Sequence, residues 1–168
     1  MDVAVVIGNP RSGGRTTTVA EAVAGRITAA FEGMHTSTTY ELAEVAGEVF
    51  DWGSERVAAV NKAVLAADVA VFASPTYKAS FTGLLKAFLD RYPGDGLAGL
   101  VAVPVMLGAA PVHQLAVETQ LRPVLVELAA IVPTKGLFVV DTELDALDRT
   151  ISAWWETAAL PLERLLAS

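Results

Sequence analysis

A glycine-rich loop near the start of the chain carries residue types that bind anions. Residues 8–18 read GNPRSGGRTTT, and no acidic residue occurs between Asn9 and Ala20, although the 168-residue chain has a formal net charge of -7. The loop follows an apolar run and opens into a helical pattern. The first backbone N–H groups of a helix are unpaired and point at whatever occupies such a loop. Together with the arginines and threonines, this arrangement predicts a bound phosphate.

Spacing decides among the known kinds of phosphate loop. A dinucleotide fingerprint needs glycine where Pro10 stands, and a P-loop needs lysine where Gly14 stands. A phosphoacceptor receiver needs aspartates at the ends of the first and third strands, and the sequence has none there. The remaining prediction is a mononucleotide phosphate held by backbone amides and by four side chains, Arg11, Arg15, Thr16 and Thr17. A solvated loop whose threonines only cap the helix is the alternative.

A second loop, residues 74–80 (SPTYKAS), has the features of a site for a flat ring. Pro75 stiffens the loop directly after an apolar strand, and Tyr77 and Lys78 follow it. A flat heteroaromatic ring needs backbone donors and acceptors along its edge, and such a loop supplies them. Taken alone, Tyr77 is better explained as a packing residue. Ser80 is expected to cap the next helix.

The third loop, residues 108–111, is made of small residues, which allow a ligand ring to come close at Gly108. His113 follows it and is a minor catalytic candidate, because a lone histidine at a helix start is more often structural or exposed. The acidic residues from Asp141 to Asp148 predict a solvated helix start. No spacing of His, Asp and Glu indicates a metal site. No nucleophile, base and orienting residue form a set either, so a cofactor is expected to carry the chemistry.

Five strands are predicted to position these loops. Four continuous apolar runs indicate strands that are buried on both faces, and a fifth, more polar run with β-branched residues suits a sheet edge. The apolar runs are residues 3–8, 69–74, 101–107 and 132–140, and the edge run is residues 36–41. Helical segments separate them. The predicted fold is therefore α/β, a three-layer sandwich with a five-stranded parallel sheet of order 2-1-3-4-5 and helices on both faces, whose ligands lie beyond strands 1, 3 and 4.

Five helices are predicted from their caps and apolar stripes. They cover residues 16–31, 54–66, 80–91, 112–130 and 143–166. Ser54 is expected to cap the second helix. Pro123 should kink or interrupt the fourth, because proline lacks a backbone donor. The third carries large apolar residues between Phe81 and Leu89, and this stripe predicts an oligomer in addition to core packing.

The composition limits the kind of protein. The chain is 53% hydrophobic and 18% charged, and its length suits one domain over residues 1–168. A sequence pI near 4.7 argues against nucleic-acid and anionic-membrane partners, because both need an extended basic surface. The lack of cysteine excludes disulfides, thiolate metal sites and cysteine nucleophiles. The first residues form no basic leader and the first apolar run is too short to span a bilayer, so we expect a cytoplasmic protein.

The loops together resemble the NAD(P)H-dependent FMN reductase family. The resemblance rests on residues 8–11 and 15–18 of the first loop and on residues 74–86 (SPTYKASFTGLLK), and it continues through residues 113–117 and 121–125. It covers most of the chain and is closest to the alkanesulfonate-utilisation branch. The resemblance implies a flavodoxin-like fold, FMN bound at the three loops, and NADPH or NADH as the hydride donor.

The resemblance also implies which residues hold FMN. The matching positions are Asn9, Arg11, Arg15, Thr16 and Thr17 for the phosphate, and Pro75, Thr76, Tyr77, Lys78 and Gly108 for the flavin ring. Asn9 stands where the family commonly has serine, and its amide can still donate to a phosphate. Thr119 stands where the alkanesulfonate branch has a tyrosine that is linked with flavin release. This departure leaves two roles open for FMN, a diffusing substrate or a retained prosthetic group.

Three functions fit these observations. The leading hypothesis is an NAD(P)H-dependent FMN reductase that transfers hydride from a nicotinamide cofactor to FMN. The first alternative retains FMN and reduces a quinone, an azo dye or a metal oxyanion. The second alternative is a non-enzymatic, flavodoxin-like electron carrier without a nicotinamide site. The resemblance further implies a homodimer or homotetramer, and it makes a flavin-dependent monooxygenase a candidate partner.

Overall fold

A computed structural model of the chain describes residues 1–166, and its centre is a five-stranded sheet. All neighbouring strands are parallel and the order is β2-β1-β3-β4-β5, which confirms the predicted fold. The strands are β1 (Asp2–Ile7), β2 (Thr36–Glu41), β3 (Val69–Pro75), β4 (Val101–Gly108) and β5 (Leu137–Val140). The three central strands are almost wholly buried and the edge strand β2 is partly exposed, as their apolar and polar runs predict.

Helices cover both faces of the sheet. They are α1 (Arg15–Thr28), α2 (Glu55–Leu65), α3 (Gly83–Leu89), α4 (Arg122–Glu127) and α5 (Leu147–Leu166). Successive side chains of a strand point to opposite faces, so each central strand contributes to two cores. Val5 and Ile7 pack with α1 and α5, and Val6 and Phe72 pack with α2, α3 and α4. The result is the predicted three-layer sandwich.

The third helix begins later than predicted. Its N-cap is Thr82, whose hydroxyl oxygen accepts a hydrogen bond from the Leu85 N–H at 3.1 Å. The backbone of Ser80 instead pairs with Tyr77 in a tight turn, so the prediction that Ser80 caps this helix is wrong. Thr82 also donates to the Gly8 carbonyl, which ties the start of α3 to the end of β1.

The fourth helical segment is interrupted, as Pro123 predicts. A 3-10 turn at Pro111–His113 comes first, then a π-helix at Val117–Leu121, and α4 begins only at Arg122. The Arg122 N–H donates to the Val117 carbonyl, so α4 continues directly from the π-helix. Pro123, which has no N–H to donate, is the second residue of α4, directly after the change from π-helix to α-helix.

The fifth strand begins at Leu137, and the prediction that it starts at residue 132 is wrong. The Arg122 guanidinium donates to the carbonyls of Val132 and Thr134, and Glu118 accepts from the Gly136 N–H. These bonds occupy backbone groups that a strand would pair with β4. Burial by itself would raise the pKa of Glu118, but its hydrogen bonds from Arg122 and Gly136 and the nearby positive charges hold that pKa below its ordinary value.

Candidate functional site

Three loops meet at the carboxyl edge of the sheet and enclose a cleft of about 390 Å³. The register explains the meeting, since Ile7 pairs with Ala73 and Ala73 with Val105, so β1, β3 and β4 end side by side. The cleft is lined by Asn9, Arg11, Arg15, Thr16, Pro75, Thr76, Tyr77, Leu107, Gly108, Ala109 and Asp141. These include eight of the ten residues predicted to bind a cofactor, all except Thr17 and Lys78.

The N-terminus of α1 opens into this cleft without a capping side chain. Its N-cap is Gly14, and the Gly14 carbonyl accepts its first bond from Thr18 at 3.2 Å. Within residues 1–166, the backbone N–H groups of Arg15, Thr16 and Thr17 have no hydrogen-bond partner. The first turn also lacks acidic residues. Unpaired donors and the positive end of the helix dipole together favour an anion at this point.

Asn9 braces the loop that leads into α1. Its Oδ1 accepts from the Arg11 N–H at 3.0 Å, and its Nδ2 donates to the hydroxyl of Thr16 at 3.3 Å. Gly13, with φ of +66°, takes the left-handed conformation that the turn requires. The loop is therefore held in shape by its own side chains, and the buried residue Thr16 is among those that line the cleft.

Asp141 places a negative charge opposite the arginines. Its Oδ2 lies 3.3 Å from Nη1 of Arg15, and its N–H donates to the Gly108 carbonyl at 2.9 Å. The prediction that Asp141 belongs to a solvated helix start is thus wrong, because this residue lines the cleft. It follows β5 directly, and a position at the carboxyl end of a predicted strand is the signal that identifies it.

Glu41 is a second acidic residue that the sequence does not mark. It is the last residue of β2, paired in register with Ile7, and its Oε1 accepts from the Gly13 N–H at 3.1 Å and from the Thr17 hydroxyl at 2.7 Å. Thr17 is therefore bonded to Glu41 and is not among the residues that line the cleft. A side chain at the end of the strand beside β1 is the signal that points to this contact.

The opposite side of the cleft is shaped by β3 and β4. The Thr76 N–H donates to the Leu107 carbonyl at 2.6 Å, while the Thr76 hydroxyl is buried with no partner among residues 1–166. A Cβ on Gly108 would lie 2.6 Å from Cζ of Phe138 and 3.3 Å from the Thr76 hydroxyl oxygen. Glycine at 108 is thus required by protein packing, in addition to the close approach of a ligand that the sequence predicts.

Known proteins can be compared with this arrangement. The sequence profile described as NADPH-dependent FMN reductase matches residues 1–145. The chain belongs to this family. The membership confirms the resemblance found in the loop sequences, and the flavodoxin-like sheet order agrees with it.

Relatives of this FMN reductase family member include a curated FMN reductase (NADPH) from Pseudomonas putida, 37% identical over 54% of this chain and 46% of the relative. The chain spans about half the length of the curated relatives it matches. Among solved structures, an oxidoreductase from Corynebacterium diphtheriae has a TM-score of 0.84 and 26% identity over 99% of this chain and 96% of the other. An NADH:FMN oxidoreductase (EMOB) in its apo form has a TM-score of 0.79 and 27% identity over 91% and 87%.

The residues of this family member fit FMN. The three unpaired N–H groups of α1, with Arg11 and Arg15 beside them, match the charge and acceptor oxygens of its phosphate. Thr76 lines the same cleft, and its buried hydroxyl, which has no partner within the described residues, can bond a polar group on the edge of a ring. Within the same part of the chain, no group of three or more His, Asp and Glu side chains could hold a metal ion.

The tight turn from Tyr77 to Ser80 contains two of the residues predicted to bind the flavin ring, Tyr77 and Lys78. Lys78 and Ala79 have φ of 51° and 64°, and the backbones of Tyr77 and Ser80 bond to each other across them. Positive φ at both central residues is the conformation of a type I′ turn, which non-glycine side chains adopt at a cost. Lys78 is consequently exposed at the tip of this turn and does not line the cleft, while Tyr77 does.

The remaining predicted residues lie outside the cleft. His113 ends the 3-10 turn Pro111–His113 and is partly exposed. Thr119 is exposed on the π-helix, where its hydroxyl donates to the Leu115 carbonyl at 3.0 Å. Neither residue is among those that line the cleft.

Among residues 1–166, no helix combines the length and the apolar character needed to cross a bilayer.

Proposed function

We propose that this chain is an NAD(P)H-dependent FMN reductase, which transfers hydride from NADPH or NADH to FMN. One observation carries the proposal. An uncapped helix N-terminus with two arginines shares one cleft with Thr76, whose buried hydroxyl has no partner among residues 1–166, in a chain of the FMN reductase family. The first group of donors suits a phosphate and the second suits a ring edge.

In this proposal FMN supplies the redox chemistry when bound, accepting hydride from the nicotinamide. The protein binds and orients it. The N–H groups of Arg15, Thr16 and Thr17 hold the phosphate at one end, and Asn9 keeps their loop in shape. Thr76 and Tyr77 hold the ring at the other end. Fixing both ends leaves one orientation for the ring, and orientation is a large part of the rate gain in a reaction between two bound partners.

Anaerobic titration of the protein and FMN with NADPH, and separately with NADH, tests this function. We expect at least one nicotinamide to bleach the flavin absorption, and the ratio of the two rates to give the coenzyme preference. Both coenzymes are tested because the relatives named above are described with NADPH in one case and NADH in the other. Absence of bleaching with both would contradict the proposal and favour a flavodoxin-like electron carrier.

Dialysis distinguishes the two enzymatic functions, in which FMN is either an exchanging substrate or a retained prosthetic group. We propose that FMN exchanges as a substrate, so protein dialysed extensively should be colourless and should need added FMN for NAD(P)H oxidation. Protein that stays yellow and oxidises NAD(P)H only with a quinone, an azo dye or a metal oxyanion would contradict this and favour the retained-flavin reductase.

We also propose that the chain forms a homodimer or homotetramer. The large side chains of the α3 stripe are mostly core, since Leu85, Phe88 and Leu89 are fully buried. Support comes instead from exposed apolar residues between β4 and α4, where Val112 is 80% and Leu115 is 65% exposed. Light scattering should give the mass of two or four chains, and a single-chain mass at micromolar concentration would contradict the proposal.

The proposed function extends to the domain, its location in the cell and the protein that uses reduced FMN. We propose that residues 1–168 act as one FMN-binding reductase domain in the cytoplasm, and that reduced FMN passes to a flavin-dependent monooxygenase. An exchangeable flavin is what such a partner requires. A coupled assay with a flavin-dependent monooxygenase should give product only when this protein, FMN and NAD(P)H are all present.

A further inference from the structure

The Glu41 carboxylate is built into the anion loop from outside it. Glu41 ends β2 beside Ile7, so its side chain reaches the loop that follows β1. One oxygen, Oε1, accepts from both the Gly13 N–H at 3.1 Å and the Thr17 hydroxyl at 2.7 Å. Both donors belong to the segment that presents unpaired N–H groups to the cleft. The carboxylate thus takes two donors that an anion could otherwise use.

The second oxygen of the same carboxylate has no partner within the part of the chain that the structure describes. Oε2 of Glu41 is buried, and no donor within residues 1–166 bonds to it. Removing a charged oxygen from water without a replacing hydrogen bond is unfavourable. A neutral glutamine would keep an oxygen that accepts the same two bonds and would carry no charge. The architecture of the loop therefore does not explain why a negative charge stands here.

The charge does matter for an anionic ligand. Arg11 and Arg15 bring two positive charges to the cleft, Asp141 lies 3.3 Å from Arg15, and Glu41 contacts the loop from its other side. The formal charges of these four side chains cancel. A phosphate is then held mainly by the helix N-terminus, against the repulsion of a partly buried carboxylate that solvent screens incompletely.

We propose that Glu41 limits the affinity of the cleft for the phosphate of its ligand, and so keeps FMN exchangeable. This inference rests on the proposed function. Glu41 acts on the ligand through charge and through the two donors that it occupies. The effect is specific to the phosphate, because the carboxylate bonds the phosphate loop directly while Glu41 is not among the residues that line the cleft.

The test compares FMN with riboflavin, which has the same ring and no phosphate. Dissociation constants are measured by quenching of flavin fluorescence for the full chain and for Glu41→Gln and Glu41→Ala. We expect both substitutions to tighten FMN binding by about tenfold and to change riboflavin binding by less than about twofold. Glu21→Gln is the matched control, since Glu21 also links α1 to β2, through Thr39 at 2.8 Å, but lies away from the loop. It should change neither constant.

The outcomes separate the inference from the function it rests on. If the unmodified chain binds neither FMN nor riboflavin, the proposed function fails. If it binds FMN and both Glu41 variants bind FMN equally or more weakly, Glu41 only shapes the loop and the inference is overturned. Equal tightening of FMN and riboflavin would overturn it as well, because the effect would not act through the phosphate. Thermal unfolding of each variant identifies any that is not folded, and the other variant then decides.

Discussion

The phosphate end and the ring end of the cleft are defined by different physical interactions. At the phosphate end, a helix N-terminus, Arg11 and Arg15 face two carboxylates that come from β2 and from the segment after β5. At the ring end, the neighbouring strand ends of β3 and β4, a strained turn and a close contact between Gly108 and Phe138 define the space. Charge therefore sets the first end and shape sets the second. Substitutions at the first should change FMN binding alone, and substitutions at the second should change FMN and riboflavin together.

Removing a cation from the phosphate end should have the largest effect. Arg15→Ala deletes a charge-assisted donor and leaves Asp141 without its partner. We expect FMN binding to weaken by about thirtyfold, which corresponds to about 2 kcal/mol, with riboflavin unchanged. Fluorescence quenching measures both constants. Arg149→Ala, which removes an exposed charge from α5, is the control and should leave both unchanged.

A methyl group at the ring end should weaken both flavins. In Gly108→Ala the new Cβ meets Phe138 at 2.6 Å and crowds the Thr76 hydroxyl at 3.3 Å. We expect binding of FMN and riboflavin to weaken equally, by about tenfold, and the free energy of unfolding to fall by about 1 kcal/mol.

The control for this substitution is Gly25→Ala, inside α1, where nothing lies within 4 Å of the added Cβ. It should raise the free energy of unfolding by roughly 0.5–1 kcal/mol and leave both flavins unaffected. A loss confined to FMN in Gly108→Ala would show that the two ends are not independent.

Neutralising Asp141 at the phosphate end should strengthen FMN binding. Asp141→Asn removes a negative charge that lies 3.3 Å from Arg15, but this pair is partly exposed and therefore screened. We expect FMN to bind about threefold more tightly and riboflavin to be unchanged. Asp145→Asn, in the following 3-10 turn, removes the same charge further along the chain and should have no effect. Weaker FMN binding in Asp141→Asn would mean that Asp141 positions Arg15.

Relieving the strained turn should produce the smallest change. Ala79 has φ of 64°, a conformation that costs an L-residue about 1–2 kcal/mol, part of which glycine loses again through its greater freedom in the unfolded chain. Ala79→Gly should therefore raise the free energy of unfolding by about 0.5 kcal/mol in denaturant titrations. Ala129→Gly, at the same φ of 64° and just beyond α4, should give the same gain, and only Ala79→Gly should weaken both flavins slightly.

The sequence predicts the sheet well because its central strands are continuous apolar runs. β1, β3 and β4 are within one residue of the predicted bounds, and their order brings the three predicted loops together. The start of β5 is missed because Arg122, ten residues before Val132, takes that residue's carbonyl. Apolar character alone does not reveal such a side-chain contact with the backbone.

The net charge of the site is a second property that the loop sequence alone does not predict. The loop itself is basic, and eight of the ten predicted residues line the cleft. The carboxylates that balance it are distant in sequence, since Glu41 is 28 residues from Gly13 and Asp141 follows the last strand. Only the strand order places them beside the loop. Lys78 is predicted to bind the flavin ring but does not line the cleft. The reason is local, because Lys78 lies at the exposed tip of the type I′ turn.

The affinity of the unmodified protein for FMN relative to riboflavin is the most direct test of phosphate binding by the β1–α1 loop. If the β1–α1 loop binds the phosphate of FMN, FMN should bind about a hundredfold more tightly than riboflavin, a difference of about 2.7 kcal/mol, and the ratio should fall as ionic strength rises. Equal affinity for the two flavins at low ionic strength would show that this loop is not a phosphate site.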